Sequence, residues 1–103
     1  MLDKSQVREI AAKYAEEVRN LLDPKSVILF GSYVNGDPHE YSDIDIAVVV
    51  SDFQGDWLDT AASLWGLTRR VNENIEPHLV DEMQDRSGFL KHVKKTGEII
   101  YSV

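Results

Sequence analysis

The chain has 103 residues, 43% of them apolar and 28% charged, which fits one globular domain spanning residues 1–103 and excludes a disordered tract. It has no cysteine, so disulfides, thiolate metal sites and a cysteine nucleophile are excluded. Eleven basic residues against 18 acidic ones give a net charge of −7, the wrong sign for a sequence-independent nucleic-acid binder and a suitable one for metal ions or a basic partner.

Asp3 with Gln6 forms a capping-box pattern. Val7, Ile10, Ala11, Tyr14, Ala15, Val18, Leu21 and Leu22 then recur on one helical face. Pro24 ends that helix by disfavouring helical geometry at Asp23. Residues 26–30 form a short apolar run rich in β-formers, hence a buried strand. Gly31 to Ser42 reads as a loop with one helical turn after Ser32. Asp43 to Val50 opens with alternation and ends in an unbroken apolar run, the pattern of a central strand covered on both faces. Residues 52–55 form a turn, and 56–72 a helix carrying Trp57, Leu58, Ala61, Leu64, Trp65, Thr68 and Val71. Residues 75–80 form a strand that Pro77 assigns to an edge or a bulge. Phe89, Leu90 and Val93 mark a last helix closed by Gly97, and 99–103 a terminal β-like run. The expected class is α/β or α+β, a small mixed sheet with helices packed on it. Trp57, Trp65 and Phe89 are expected in the core. No apolar run nears the roughly 20 residues of a membrane span. Residues 1–5 show no basic leader before an apolar stretch, so a cytoplasmic location without membrane attachment is expected.

The chemistry concentrates in Phe30-Gly31-Ser32 and Ser42-Asp43-Ile44-Asp45. Strand alternation puts Asp43 and Asp45 on one face, with Ile44 and Ile46 on the other. Two carboxylates opening the most apolar strand repel one another unless a cation lies between them. Magnesium suits such a pair, because it favours hard oxygen ligands and sits on carboxylates plus a substrate phosphate. Gly31 permits close backbone approach, and Ser32 can donate to phosphate oxygens. Ser42 is equally well explained as a turn residue. Two further patterns fail. Gly31-x4-Gly36 is followed by Asp37-Pro38 where a phosphate loop needs Lys and Ser or Thr. His39-Glu40 meets Asp43 where a zinc protease needs its second His.

Gly31-Ser32, ten residues, then Asp43-x-Asp45 resembles the signature of the polymerase-β-type nucleotidyltransferase superfamily, and the string through Val48 resembles its minimal nucleotidyltransferase branch. The resemblance implies the polymerase-β-like nucleotidyltransferase fold and a third carboxylate on a later strand, for which Glu76 is the candidate and Asp81 the fallback if the register slips. It implies two Mg2+ ions on Asp43, Asp45 and Glu76, ATP as substrate, and Gly31 and Ser32 against the triphosphate. It further implies AMP transfer to a hydroxyl of a partner protein, a HEPN-type toxin encoded nearby that the chain masks as antitoxin. The alternative is a catalytically idle module that neutralises its partner by contact. An arginine that many relatives carry after Gly-Ser is replaced by Tyr33, Val34 and Asn35, leaving Arg69, Arg70 and Lys25 as candidate cations. His78 shares strand parity with Glu76, and a surface or packing role is the expected one for it. Lys91, Lys94 and Lys95 read as a solvated helix face. A sugar-nucleotide glycosyltransferase, which also uses Asp-x-Asp, needs a larger sheet than this chain can build.

Overall fold

A computed structural model describes residues 2–36, 38 and 43–103. The turn reading of Ser42 and the His39-Glu40 pattern fall outside these residues. Helix α1 (Lys4–Leu21) opens on the capping box, with the Asp3 carboxylate accepting the Gln6 N–H at 2.8 Å and the Gln6 side chain accepting the Asp3 N–H at 3.0 Å. Its face of Val7, Ala11, Tyr14, Ala15 and Val18 is buried, while Leu21 at its end is exposed.

Four strands follow the β-branched runs: β1 (Ser26–Phe30), β2 (Ile44–Val50), β3 (Ile75–Asp81) and β4 (Glu98–Ser102). The sheet order is β3-β2-β1-β4, with β1 antiparallel to β2 and β4, and β2 parallel to β3. The apolar run in β2 is therefore central, and Pro77, which has no N–H to donate, sits on an outer strand. Between them lie α2 (Ser32–Asn35), the single turn expected after Ser32, α3 (Trp57–Val71) and α4 (Phe89–Thr96), with a 3₁₀ turn at Glu82–Gln84.

The two faces of the sheet are covered unequally. Ile44, Ile46, Val48, Val27 and Leu29 point into the larger core beneath α1 and α3. Tyr14 crosses that core and donates its hydroxyl to the Leu64 carbonyl at 2.7 Å, and burial pushes its pKa up. On the other face Ile28, Ala47 and Val49 meet only Leu90 and Val93 of α4, with Phe30, Val80 and Phe89 at the margin. Gly97 lets α4 close down on the sheet, because a Cβ there would stand 2.6 Å from the Val93 carbonyl oxygen and 2.8 Å from Ile28 Cγ2.

The expectation of core positions for Trp57 and Trp65 is corrected: they are 38% and 50% exposed. The helix buries Leu64 and Thr68 instead. It packs on α1 and on β3, the outer strand, so the aromatic positions project beyond the sheet. Phe89 is half-buried, edge-on to Phe30 with ring centroids 5.5 Å apart.

Candidate active site

The site lies on the thinly covered face, where three strands bring their ends together. Phe30, the last residue of β1, pairs with Asp45, and Asp45 pairs with Glu76 on the other side. Parity places Asp45, Glu76 and His78 on the α4 side, because their neighbours Ile44, Ile46 and Ile75 are buried on the opposite side.

The bend after β1 approaches this row closely. Gly31 has φ 87° and ψ −153°, a region essentially restricted to glycine. A Cβ on Gly31 would collide with Asp45 Oδ2 and stand 3.2 Å from its Cγ. Ser32 follows at once and opens α2, whose Asn35 N–H is accepted by the Gly31 carbonyl at 2.9 Å. The acids of β2 and the Gly-Ser bend thus face one space.

Asp43 is exposed just ahead of β2, near enough for its carboxyl to raise the Glu76 pKa. Asp45, Glu76 and His78 have side chains 23%, 39% and 31% exposed. The Glu76 pKa is raised, first by partial burial, then by the Asp43 carboxylate as hydrogen-bond acceptor and the charge of Asp45, with His78 opposing. Carboxylates that raise one another's pKa in this way fit a divalent cation, which would relieve the same repulsion. Asp45 and Glu76 are therefore brought together beside Gly31, with Asp43 two residues ahead of Asp45 and Ser32 next to Gly31.

Asp81, the fallback, is elsewhere. It pairs with Val50 at the far end of β3. Its carboxylate accepts the N–H groups of Phe53 at 2.9 Å, Met83 at 2.9 Å and Asp52 at 3.1 Å. These bonds hold its pKa below the ordinary value, Phe53 and Met83 most strongly. It fastens two turns and is remote from the acidic row. Of the candidate cations, Lys25 precedes β1 at the end opposite Gly31, Arg70 stands 3.9 Å from Glu17 of α1, and Arg69 is its exposed neighbour on α3.

Sequence reasoning ranks a packing role for His78 above a place lining the cleft, and the structure shows features of both. His78 packs as expected, 5.1 Å from the Phe30 ring and 5.9 Å from the Phe89 ring. Its Nε2 also lies 3.4 Å from Asp45 Oδ1 and 4.0 Å from Glu76 Oε1. Shared parity with Glu76 was the available signal. His78 also lines an open cavity of about 670 Å³ together with Phe53, Trp57, Val80, Asp85 and Phe89. None of Gly31, Ser32, Asp43 or Asp45 borders that cavity, which lies on the β3 side of the row.

Comparison with known proteins bears on this arrangement. The family model described as "Polymerase beta, Nucleotidyltransferase" matches residues 7–103. A candidate protein adenylyltransferase of Methanocaldococcus jannaschii is 30% identical over 102 residues, covering 95% of this chain and 93% of the relative. Another from the same organism is 43% identical over 44 residues, covering 43% of this chain and 51% of the relative. The match thus spans about half the length of that second relative. Among solved structures, a candidate nucleotidyltransferase of Sulfolobus solfataricus superposes with a TM-score of 0.69 at 23% identity, over 96% of this chain and 83% of that one. An MNT antitoxin structure, solved with the tri-AMPylated HEPN toxin of Shewanella oneidensis, superposes with a TM-score of 0.62 at 20% identity, over 93% and 73%. A toxin–antitoxin structure containing AMP-PNP gives a TM-score of 0.64 at 25% identity, over 89% and 73%.

Proposed function

The chain belongs to the polymerase beta nucleotidyltransferase family, and from that premise we propose that it transfers AMP from ATP to a hydroxyl of a partner protein, a HEPN-type toxin encoded nearby, and so acts as its antitoxin. The observation that carries this reading is the pairing of Asp45 with Glu76 directly beside Gly31, with Asp43 just ahead of the same strand. The names of the relatives support protein adenylylation as the reaction, and the AMP-PNP and tri-AMPylated neighbours support ATP and a HEPN partner.

Asp43, Asp45 and Glu76 would hold two Mg2+ ions, which when bound neutralise charge on the attacking and leaving oxygens of an in-line displacement. Gly31 admits the triphosphate close to the backbone, and the Ser32 hydroxyl donates to its oxygens. The acceptor oxygen bonds to the α-phosphorus, the α–β anhydride bond breaks, and pyrophosphate leaves past Gly31 and Ser32. Glu76, or a carboxylate near it, takes the proton of the acceptor hydroxyl.

The test is to incubate the chain with its partner, ATP and Mg2+ and to weigh the intact partner. A gain of one or more adenylyl groups, absent when Asp43→Ala and Asp45→Ala are combined, is the expected result. A partner inhibited yet unchanged in mass would instead establish neutralisation by contact. An extracellular location of the mature chain would remove the cytoplasmic setting this role requires.

A further inference from the structure

We propose that His78 is a metal ligand, completing with Asp45 and Glu76 a mixed nitrogen–oxygen site that takes Mn2+ in preference to Mg2+. This rests on the reading of the acidic row as a cation cradle and specifies which cation its β3 side takes. One donor atom from each of the three residues lies within 4.8 Å of the others. In an octahedron with bonds of about 2.1 Å, adjacent donors stand about 3 Å apart and opposite ones about 4.2 Å. The separations of 3.4 Å from Nε2 to Asp45 and 4.0 Å to Glu76 close on a cation with small side-chain movements.

The imidazole is held for this role from both sides. Phe30 and Phe89 flank the ring, restricting its rotation and keeping Nε2 on the acids. Its partner across the ladder is Ala47, whose small side chain leaves room for the ring to reach back toward Asp45. Imidazole nitrogen is a poor match for Mg2+, whereas Mn2+ accepts both nitrogen and carboxylate oxygen. Asp43 stays outside this trio and would leave any further cation with oxygen donors only, which suits Mg2+.

The experiment uses the full chain with Mn2+ alone, without nucleotide, and reads nitrogen coupling to the bound ion by pulsed electron paramagnetic resonance. The wild type is expected to show 14N coupling, replaced by 15N coupling when histidine is isotopically labelled. The coupling should persist in His39→Gln and His92→Gln and vanish in His78→Gln. That last variant should bind Mn2+ about tenfold more weakly, with its Mg2+ affinity within about twofold of wild type. The histidine labelling needs no substitution, so it stands even if His78→Gln folds poorly. Bound Mn2+ without nitrogen coupling, or coupling that survives His78→Gln, overturns the role of His78 and leaves the carboxylate cradle intact. No Mn2+ binding at all overturns both.

Discussion

Gly31 joins backbone conformation to chemistry in a single residue. Its φ of 87° and ψ of −153° would strain any other residue by about 1–3 kcal/mol, and a side chain there would displace the Asp45 carboxylate. Gly31→Ala is therefore expected to lose at least about 1 kcal/mol in urea denaturation and to lose nucleotidyl transfer with it. Asp81 gives a contrasting prediction, confined to stability. Its folded pKa lies below the unfolded value because three backbone N–H groups favour the carboxylate. The stabilisation is thus fully present above the unfolded carboxylate pKa of about 4 and fades as pH falls below it. Asp81→Asn should unfold more readily than wild type at pH 7, and the gap between the two should close in denaturation curves recorded near pH 3.

At the scale of elements, α3 shows what local pattern carries and what it omits. Gly66 is a helix-interior glycine, and a methyl group added to it would meet nothing within 4 Å. Gly66→Ala should stabilise the protein by about 0.5–1 kcal/mol, read as a rise of a few degrees in melting temperature. Periodicity locates this helix within one residue at each end, and Asp56 caps it by accepting the Asp59 N–H at 2.9 Å. Periodicity cannot say that the helix overhangs the outer strand, so it places Trp57 and Trp65 in a core they only border. The capping box, the central position of β2 and the edge position of β3 were legible, because residues close in sequence determine them. The pairing of Asp45 with Glu76 was legible only through a family resemblance, since it joins residues 31 positions apart. Parity puts His78 on the face of Glu76, whereas its distance to Asp45 and the placement of Lys25 at the far end of β1 depend on tertiary structure.

The molecule as a whole is a sheet with one well-covered face and one that α4 covers only in part. The acidic row lies on the second face, beside apolar margins formed by Phe30, Val80 and Phe89. No helix among the described residues is long and apolar enough to cross a membrane. A ligand bound only by the folded chain should stabilise it by mass action, about 2.7 kcal/mol at a hundredfold excess over Kd. Magnesium with a non-hydrolysable ATP analogue is therefore expected to raise the melting temperature by about 10 °C at that excess. Asp43→Ala combined with Asp45→Ala should abolish the rise in the same thermal scan.

Glu76 and His78 belong to a strand bonded to a neighbour on one side only, and Pro77 between them donates no hydrogen bond. Fraying of that rim would scatter the acids while the interior around Tyr14 and Ile46 stayed closed. Amide deuterium uptake at 76 and 78 would then run ahead of uptake at 46 and 48.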